Sequence, residues 1–243
     1  VNARAGRGLF DTTRWSLVLA AGVEPPTADA REALTTLCET YWYPLYAFLR
    51  GRGHDPADAE DMTQAFFALL LEKQVIRQAD PARGRFRSFL LKSLQHFAAN
   101  VHEAATAAKR GGGVPALSLE FGQAEGRFRL EPSSDENPER TFDRRWALTL
   151  LDRVMSRLSA DALQKNKHSQ FDALKPYLTG DEPQLSYAQT ASELGISEGA
   201  VKVGVHRLRK KFRDVVRDEI AQTVSSDEEI EEELRHLWSA VGR

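Results

Sequence analysis

The chain carries a single cysteine, Cys38, in 243 residues. That scarcity excludes an internal disulfide framework and fits a reducing compartment. It has no apolar run near the ~18 residues that a membrane span needs. The stretch Leu17 to Gly22 is too short and too weakly flanked to serve as a signal peptide. A cytoplasmic protein with no membrane partner is therefore expected. The six histidines are scattered and lack a metal-ligand spacing such as H-E-x-x-H, so no metal site is expected. The glycines in GGGVP, 111 to 115, are followed by neither a Lys-Ser/Thr pair nor a helix pattern, so they do not make a phosphate-binding loop. A nuclease would need clustered carboxylates beside its basic segments, and Asp58, Glu60 and Asp61 are better explained by a helix start and docking. No cofactor and no catalytic residue is expected, and the chain is not read as an enzyme.

What is present is the composition of a soluble globular protein, 42% hydrophobic and 28% charged. The length allows one large domain or two small ones. The formal net charge of -2 conceals an uneven distribution. From Val224 onward the tail holds six acids and two arginines, which leaves the rest of the chain at about +2. Arg77 to Arg110 has seven Lys or Arg against two acids, and Lys202 to Arg213 has six and none. Two basic segments ahead of one acidic tail suit a protein that binds a polyanion.

The periodicity reads as all-α throughout: two small helical domains joined by a flexible linker, the second containing a helix-turn-helix. Residues 1–29 form an N-terminal extension. The first domain spans 30–110. Leu34, Leu37, Cys38, Tyr41, Leu45 and Phe48 recur at helical spacing, with Pro44 expected to kink or restart the helix. Asp55 can cap a second helix, Pro56 suits its first position, and Asp58 and Glu60 favour its positive end. Ala59, Met62, Phe66, Leu69 and Leu70 make its buried face. A third helix is expected from about Ser88 to Lys109, with Leu90, Leu94, Phe97 and Val101 on one side. Residues 111–140 are rich in Gly, Pro, Ser and acids without a sustained period, and read as the linker. The second domain spans 141–222 and the acidic amphipathic tail 223–243.

The most informative stretch lies in the second domain. Ser186 with Gln189 three residues on makes a capping-box pattern, and Gly195 allows a left-handed turn. Ile196 is expected to fill the corner and Ser197 to cap the next helix. That helix would bury Val201, Val205, Leu208 and Phe212, with Lys202, His206, Arg209 and Arg213 along an adjacent stripe. A small residue at Ala191, glycine in the turn and Val201 inside are what a tight two-helix corner demands. Such a corner places the start of the second helix in the major groove and its flanking cations on phosphates. Ser197, Glu198, Lys202, Val203 and His206 are the candidates for base edges. Arg207, Arg209, Lys210 and Lys211 are the candidates for the backbone.

Taken together, both domains resemble an extracytoplasmic-function (ECF) sigma factor of bacterial RNA polymerase, over about residues 30 to 110 and 141 to 220. DAEDMTQAFFALLL is similar to that family's DAEDLTQEVF segment, and the resemblance implies that Asp58, Asp61, Gln64 and Ala65 face core RNA polymerase. GRFRSFLLKSL is similar to the segment opening the helix that meets the minus-10 promoter element. The resemblance assigns Arg83, Arg85, Arg87, Gln95, His96 and Asn100 to that contact. Phe86 and Phe89 are more readily core than base-stacking. GAVK, leading to Arg207 and Arg209, resembles the family's G-T-V-K, which implies that this helix reads the minus-35 element. Phe89 stands where the family has Trp, Ala65 where it has Glu, and Val203 and Gly204 where Ser and Arg are common. These departures bear on promoter sequence. Gly204 costs a helix about 1 kcal/mol against alanine and predicts close helix packing at that point.

The partners implied are core polymerase, promoter DNA and an anti-sigma factor or other regulator. The competing reading is a stand-alone helix-turn-helix regulator whose N-terminal half senses or dimerises. Two readings of the tail stay open. It either covers the basic helix or docks a partner, or else it completes the second domain's core through Leu234, Leu237 and Trp238.

Overall fold

The computed structural model describes residues 28–72, 85–107, 124–130, 137–178, 185–224 and 226–242. Among the described residues the fold is all-α, with nine α-helices, one 3-10 turn and no strand. The chain divides into two compact units, one reaching Thr149 and resuming at Ile220, the other running from Leu150 to Glu219.

The first unit is built on α1 (Ala28–Gly51), α2 (Pro56–Glu72) and α3 (Phe86–Ala107). Helix α1 runs through Pro44 without restarting. An internal proline costs a helix about 3 kcal/mol. Here it is offset by near-complete burial of Tyr41, Tyr43, Leu45 and Phe48 on both sides of it. Cys38 lies in the same stripe, where burial pushes its thiol up to about 12. The residue is an inert core group. Helix α2 begins as expected, with the Asp55 carboxylate accepting from the Asp58 N–H at 2.9 Å. Its core face is Ala59, Thr63, Phe66, Phe67 and Leu70. Helix α3 buries Phe86, Leu90 and Leu94, while Val101, expected on that face, is 37% exposed.

A helix stands inside the segment read as a linker. Helix α4 (Ala124–Leu130) is anchored on α1 by Glu125, which accepts from Tyr46 Oη at 2.8 Å and from Arg50 Nε and Nη2 at 3.0 Å each. Arg127 lies 4.3 Å over the Tyr43 ring, and Phe128 carries Arg50 at 5.0 Å. No hydrophobic period announces this helix, because its fixing contacts are ionic and aromatic.

Arg50, then Tyr46 and Arg129, hold the Glu125 carboxyl down at about 2 against an ordinary 4.5. A depressed acid contributes stability above its unfolded value and loses it as pH falls through the folded one. Glu125→Gln should therefore cost about 2 kcal/mol near neutrality. The difference from the natural chain should vanish between pH 4.5 and 2, as read by urea unfolding across that range.

Helix α5 (Pro138–Gln164) starts on Asn137, whose side-chain oxygen accepts from the Arg140 N–H at 2.9 Å. Its first half belongs to the first unit, burying Phe142, Trp146 and Ala147, and its second half to the other. The expected domain start near 141 thus lies inside one continuous helix.

The acidic tail forms α9 (Asp227–Val241), capped by Ser226, and belongs to the first unit. Its acids Glu232 and Glu233 meet Arg85 and Arg87. Ile230, Glu233 and Leu237 are buried, whereas Trp238 is 43% exposed.

The second unit holds the rest of α5, then α6 (His168–Leu174), a 3-10 turn (Lys175–Tyr177), α7 (Tyr187–Leu194) and α8 (Glu198–Ala221) up to Glu219. Leu174, Tyr177, Ala191, Val201 and Val205 form one core, flanked by Tyr187 and Leu208.

Candidate nucleic-acid interface

The corner between α7 and α8 assembles from local rules. Ser186 Oγ accepts from the Gln189 N–H at 3.3 Å, and the Gln189 side chain accepts from the Ser186 N–H at 2.8 Å. Both halves of the capping box are made. The helix ends at Gly195, at φ 64° and ψ 32°, a left-handed conformation that glycine adopts without Cβ strain. The Ile196 N–H then donates to the Ala191 carbonyl at 3.1 Å. Ser197 Oγ caps α8 by accepting from the Ala200 N–H at 3.2 Å. Ile196 does not fill the corner but stays 37% exposed. The corner is filled instead by Tyr177, whose hydroxyl reaches the Leu185 carbonyl at 2.9 Å and Thr190 Oγ1 at 2.8 Å. Its ring stacks on Tyr187 at 4.9 Å. Sequence reading passed over Tyr177 because it sits in an irregular turn.

Val201 and Val205 are buried, and this fixes which side of α8 faces out. Ser197, Glu198, Lys202, Val203, His206, Arg207, Arg209 and Lys210 are all exposed residues. Their roles differ. Lys202 Nζ pairs with Glu198 at 2.7 Å and lies 5.8 Å over the Tyr187 ring. Arg209 donates through Nε and Nη2 to the Tyr177 carbonyl at 3.0 and 2.9 Å. That fork secures the end of the 3-10 turn, so a phosphate-positioning role for Arg209 must share a guanidinium already in use. Lys211 Nζ pairs with Asp161. Arg207 and Lys210 have no ion-pair partner among the described residues, which leaves their charge for an external anion. Close packing at Gly204 is as expected: a Cβ there would stand 3.0 Å from Leu174 Cδ1.

In the first unit the six residues assigned to the minus-10 contact separate. Arg83 lies outside the described residues. Arg85 pairs with Glu233 at 2.9 Å and also with Glu232. Arg87 is 7% exposed, held by Glu233 at 3.1 Å and by Asp143, with its guanidinium 4.9 Å over the Trp146 ring. A buried, doubly paired arginine is a structural member of the core and not a surface contact to DNA. Gln95 donates to Glu139 at 3.1 Å. His96 and Asn100 are exposed one turn apart on α3, and Lys92 continues that line. Lys92 was recoverable from its i−4 spacing to His96.

On α2, Asp58 and Asp61 are exposed, while Gln64 and Ala65 are half-buried. Gln64 reaches Glu60 at 3.4 Å.

Among the described residues no group of three or more His, Cys, Asp or Glu side chains could hold a metal ion, and no helix is long and apolar enough to cross a membrane. No family model matches the chain, and no curated protein or solved structure matches it either.

Proposed function

We propose that the chain is a sigma factor that binds core RNA polymerase and directs promoter recognition, a non-enzymatic and cytoplasmic role. The observation that carries this reading is the α7–α8 corner, capped at both helices and turned at Gly195, which leaves Arg207 and Lys210 exposed without ion-pair partners on one side of α8. Exposed cations on the second helix of such a corner are the equipment for major-groove docking. The resemblance of DAEDMTQAFFALLL supplies the second half of the reading, since Asp58 and Asp61 are exposed on α2 and free to meet a protein partner.

The reading calls for two DNA-contacting modules joined by residues 111–140. Within that connection, α4 docks on α1 through Glu125. It also calls for a reduced minus-10 set, with His96 and Asn100 as its exposed members and Arg87 removed.

Capture of core polymerase by the tagged chain tests the proposal. The natural chain should retain core enzyme, and Asp61→Lys combined with Gln64→Ala should lower retention at least tenfold while leaving the melting temperature unchanged. Failure of the natural chain to retain core enzyme would end this reading. Tight dimeric binding to duplex promoter DNA without polymerase would favour a stand-alone regulator.

A further inference from the structure

The second unit contains a groove of about 540 Å³ between the last turns of α5, helix α6 and α8. That volume lies within the range of small-molecule sites, about 300–1,000 Å³. A helix about 10 Å across would fill it in little more than one turn, so its size suits a small ligand better than a partner helix.

The groove has depth because α8 lines part of it with Gly199, Ala200 and Gly204, which carry little or no side chain. At Gly204 the helix comes so close to Leu174 that a Cβ would stand 3.0 Å from Leu174 Cδ1. One turn earlier, at Gly199 and Ala200, the same side of α8 carries nothing larger than a methyl, and a Cβ on Gly199 would have Ser197 Oγ at 4.0 Å as its nearest neighbour. The gap that opens is walled by Leu158, Ala162, Phe171 and Leu174, with Val203 49% exposed beside it.

Charge selects the ligand. Lys165, Lys167, Arg207 and Lys211 line the groove against one carboxylate, Asp161. Asp161 is already engaged by Lys165 at 2.8 Å and by Lys211. Lys167 and Arg207 have no ion-pair partner among the described residues. An apolar trough beside two uncompensated cations matches a molecule with an aliphatic body and an anionic end.

We propose that this groove binds a small amphipathic carboxylate, its chain against Phe171 and Leu174 and its head at Lys167 and Arg207. Val203 and Arg207 also belong to the DNA-facing set, so an occupied groove and a DNA-bound α8 compete for them. This second clause rests on the proposed function, whereas binding itself does not.

The test is titration of the full chain with dodecanoate below its micellar concentration, by calorimetry, without DNA or polymerase. One dodecanoate should bind per chain, and affinity should fall about fourfold for each methylene removed down to octanoate. Dodecanol, which lacks the charge, should bind at least tenfold more weakly. Ala200→Phe, which fills the trough, and Lys167→Glu, which reverses a rim charge, should each weaken binding at least tenfold with unchanged melting curves. Neither residue is among the DNA or polymerase contacts. Unsaturable uptake, affinity in both variants equal to that of the natural chain, or no dependence on chain length would overturn the site. Promoter DNA binding unaltered at saturating dodecanoate would overturn the competition. Failure of polymerase capture alongside intact dodecanoate binding would count against the proposed function and leave the groove standing.

Discussion

Glu233→Ala should be the most destabilising single change in the tail, at about 3–5 kcal/mol. Glu233 is 2% exposed and Arg87 7%, so removing the carboxylate leaves a guanidinium buried with one fewer counter-charge. Asp143 remains as its partner, but Asp143 also pairs with His236 at 3.1 Å. Arg85 would lose its 2.9 Å contact at the same time and keep only the more exposed Glu232. For a chain of this size, a loss of 3–5 kcal/mol corresponds to a drop of roughly 10 °C in melting temperature. The cause is a buried charge left under-compensated, so removing both partners should be much milder. Arg87→Met with Glu233→Leu should recover most of the loss, since apolar replacement of a buried pair is often neutral or better. Thermal melts of Arg87→Met, Glu233→Leu and the double variant give the coupling directly. A loss in the double variant equal to the sum of the two single losses would mean that the two side chains contribute independently and not as a pair.

The tail also explains why part of the site escaped sequence reading. The α7–α8 corner was legible because each of its parts is local: a serine with glutamine at the third position, a glycine at the left-handed turn, a serine cap. Such signals act within four residues and do not depend on the rest of the chain. The start of α2 on Asp55 and Pro56 was legible for the same reason. The fate of Arg87 was not, because its partners Asp143 and Glu233 lie 56 and 146 positions away. A basic residue at the start of a helix looks identical whether it will meet a phosphate or a buried glutamate. Helix α4 was hidden for a related reason. Its seven residues carry no apolar stripe, and Glu125 finds Arg50 across 75 positions. Pro44 marks the reverse case, in which a strong local signal is outweighed by tertiary burial.

On α8 the same distinction, between cations already engaged and cations left unpaired, yields a second large effect. On the proposed sigma-factor function, Arg207→Ala with Lys210→Ala should lower the affinity of the chain's complex with polymerase for promoter DNA about tenfold to a hundredfold at physiological salt. It should also reduce the slope of log affinity against log salt by about 2, because each phosphate contact contributes about 0.9. Both residues are exposed and lack ion-pair partners among the described residues, so the change should leave the fold intact. Arg209→Ala should behave in the opposite way. Its guanidinium donates twice to the Tyr177 carbonyl, so its loss leaves that acceptor unsatisfied beside the core and costs about 1–3 kcal/mol. The salt slope should barely move. Filter binding of the holoenzyme on one promoter across a salt series, with a melt of each variant, separates the two classes. A slope unchanged by the Arg207 and Lys210 pair would mean that this side of α8 does not face phosphates. A slope reduced by Arg209→Ala alone would mean that its fork opens when DNA arrives.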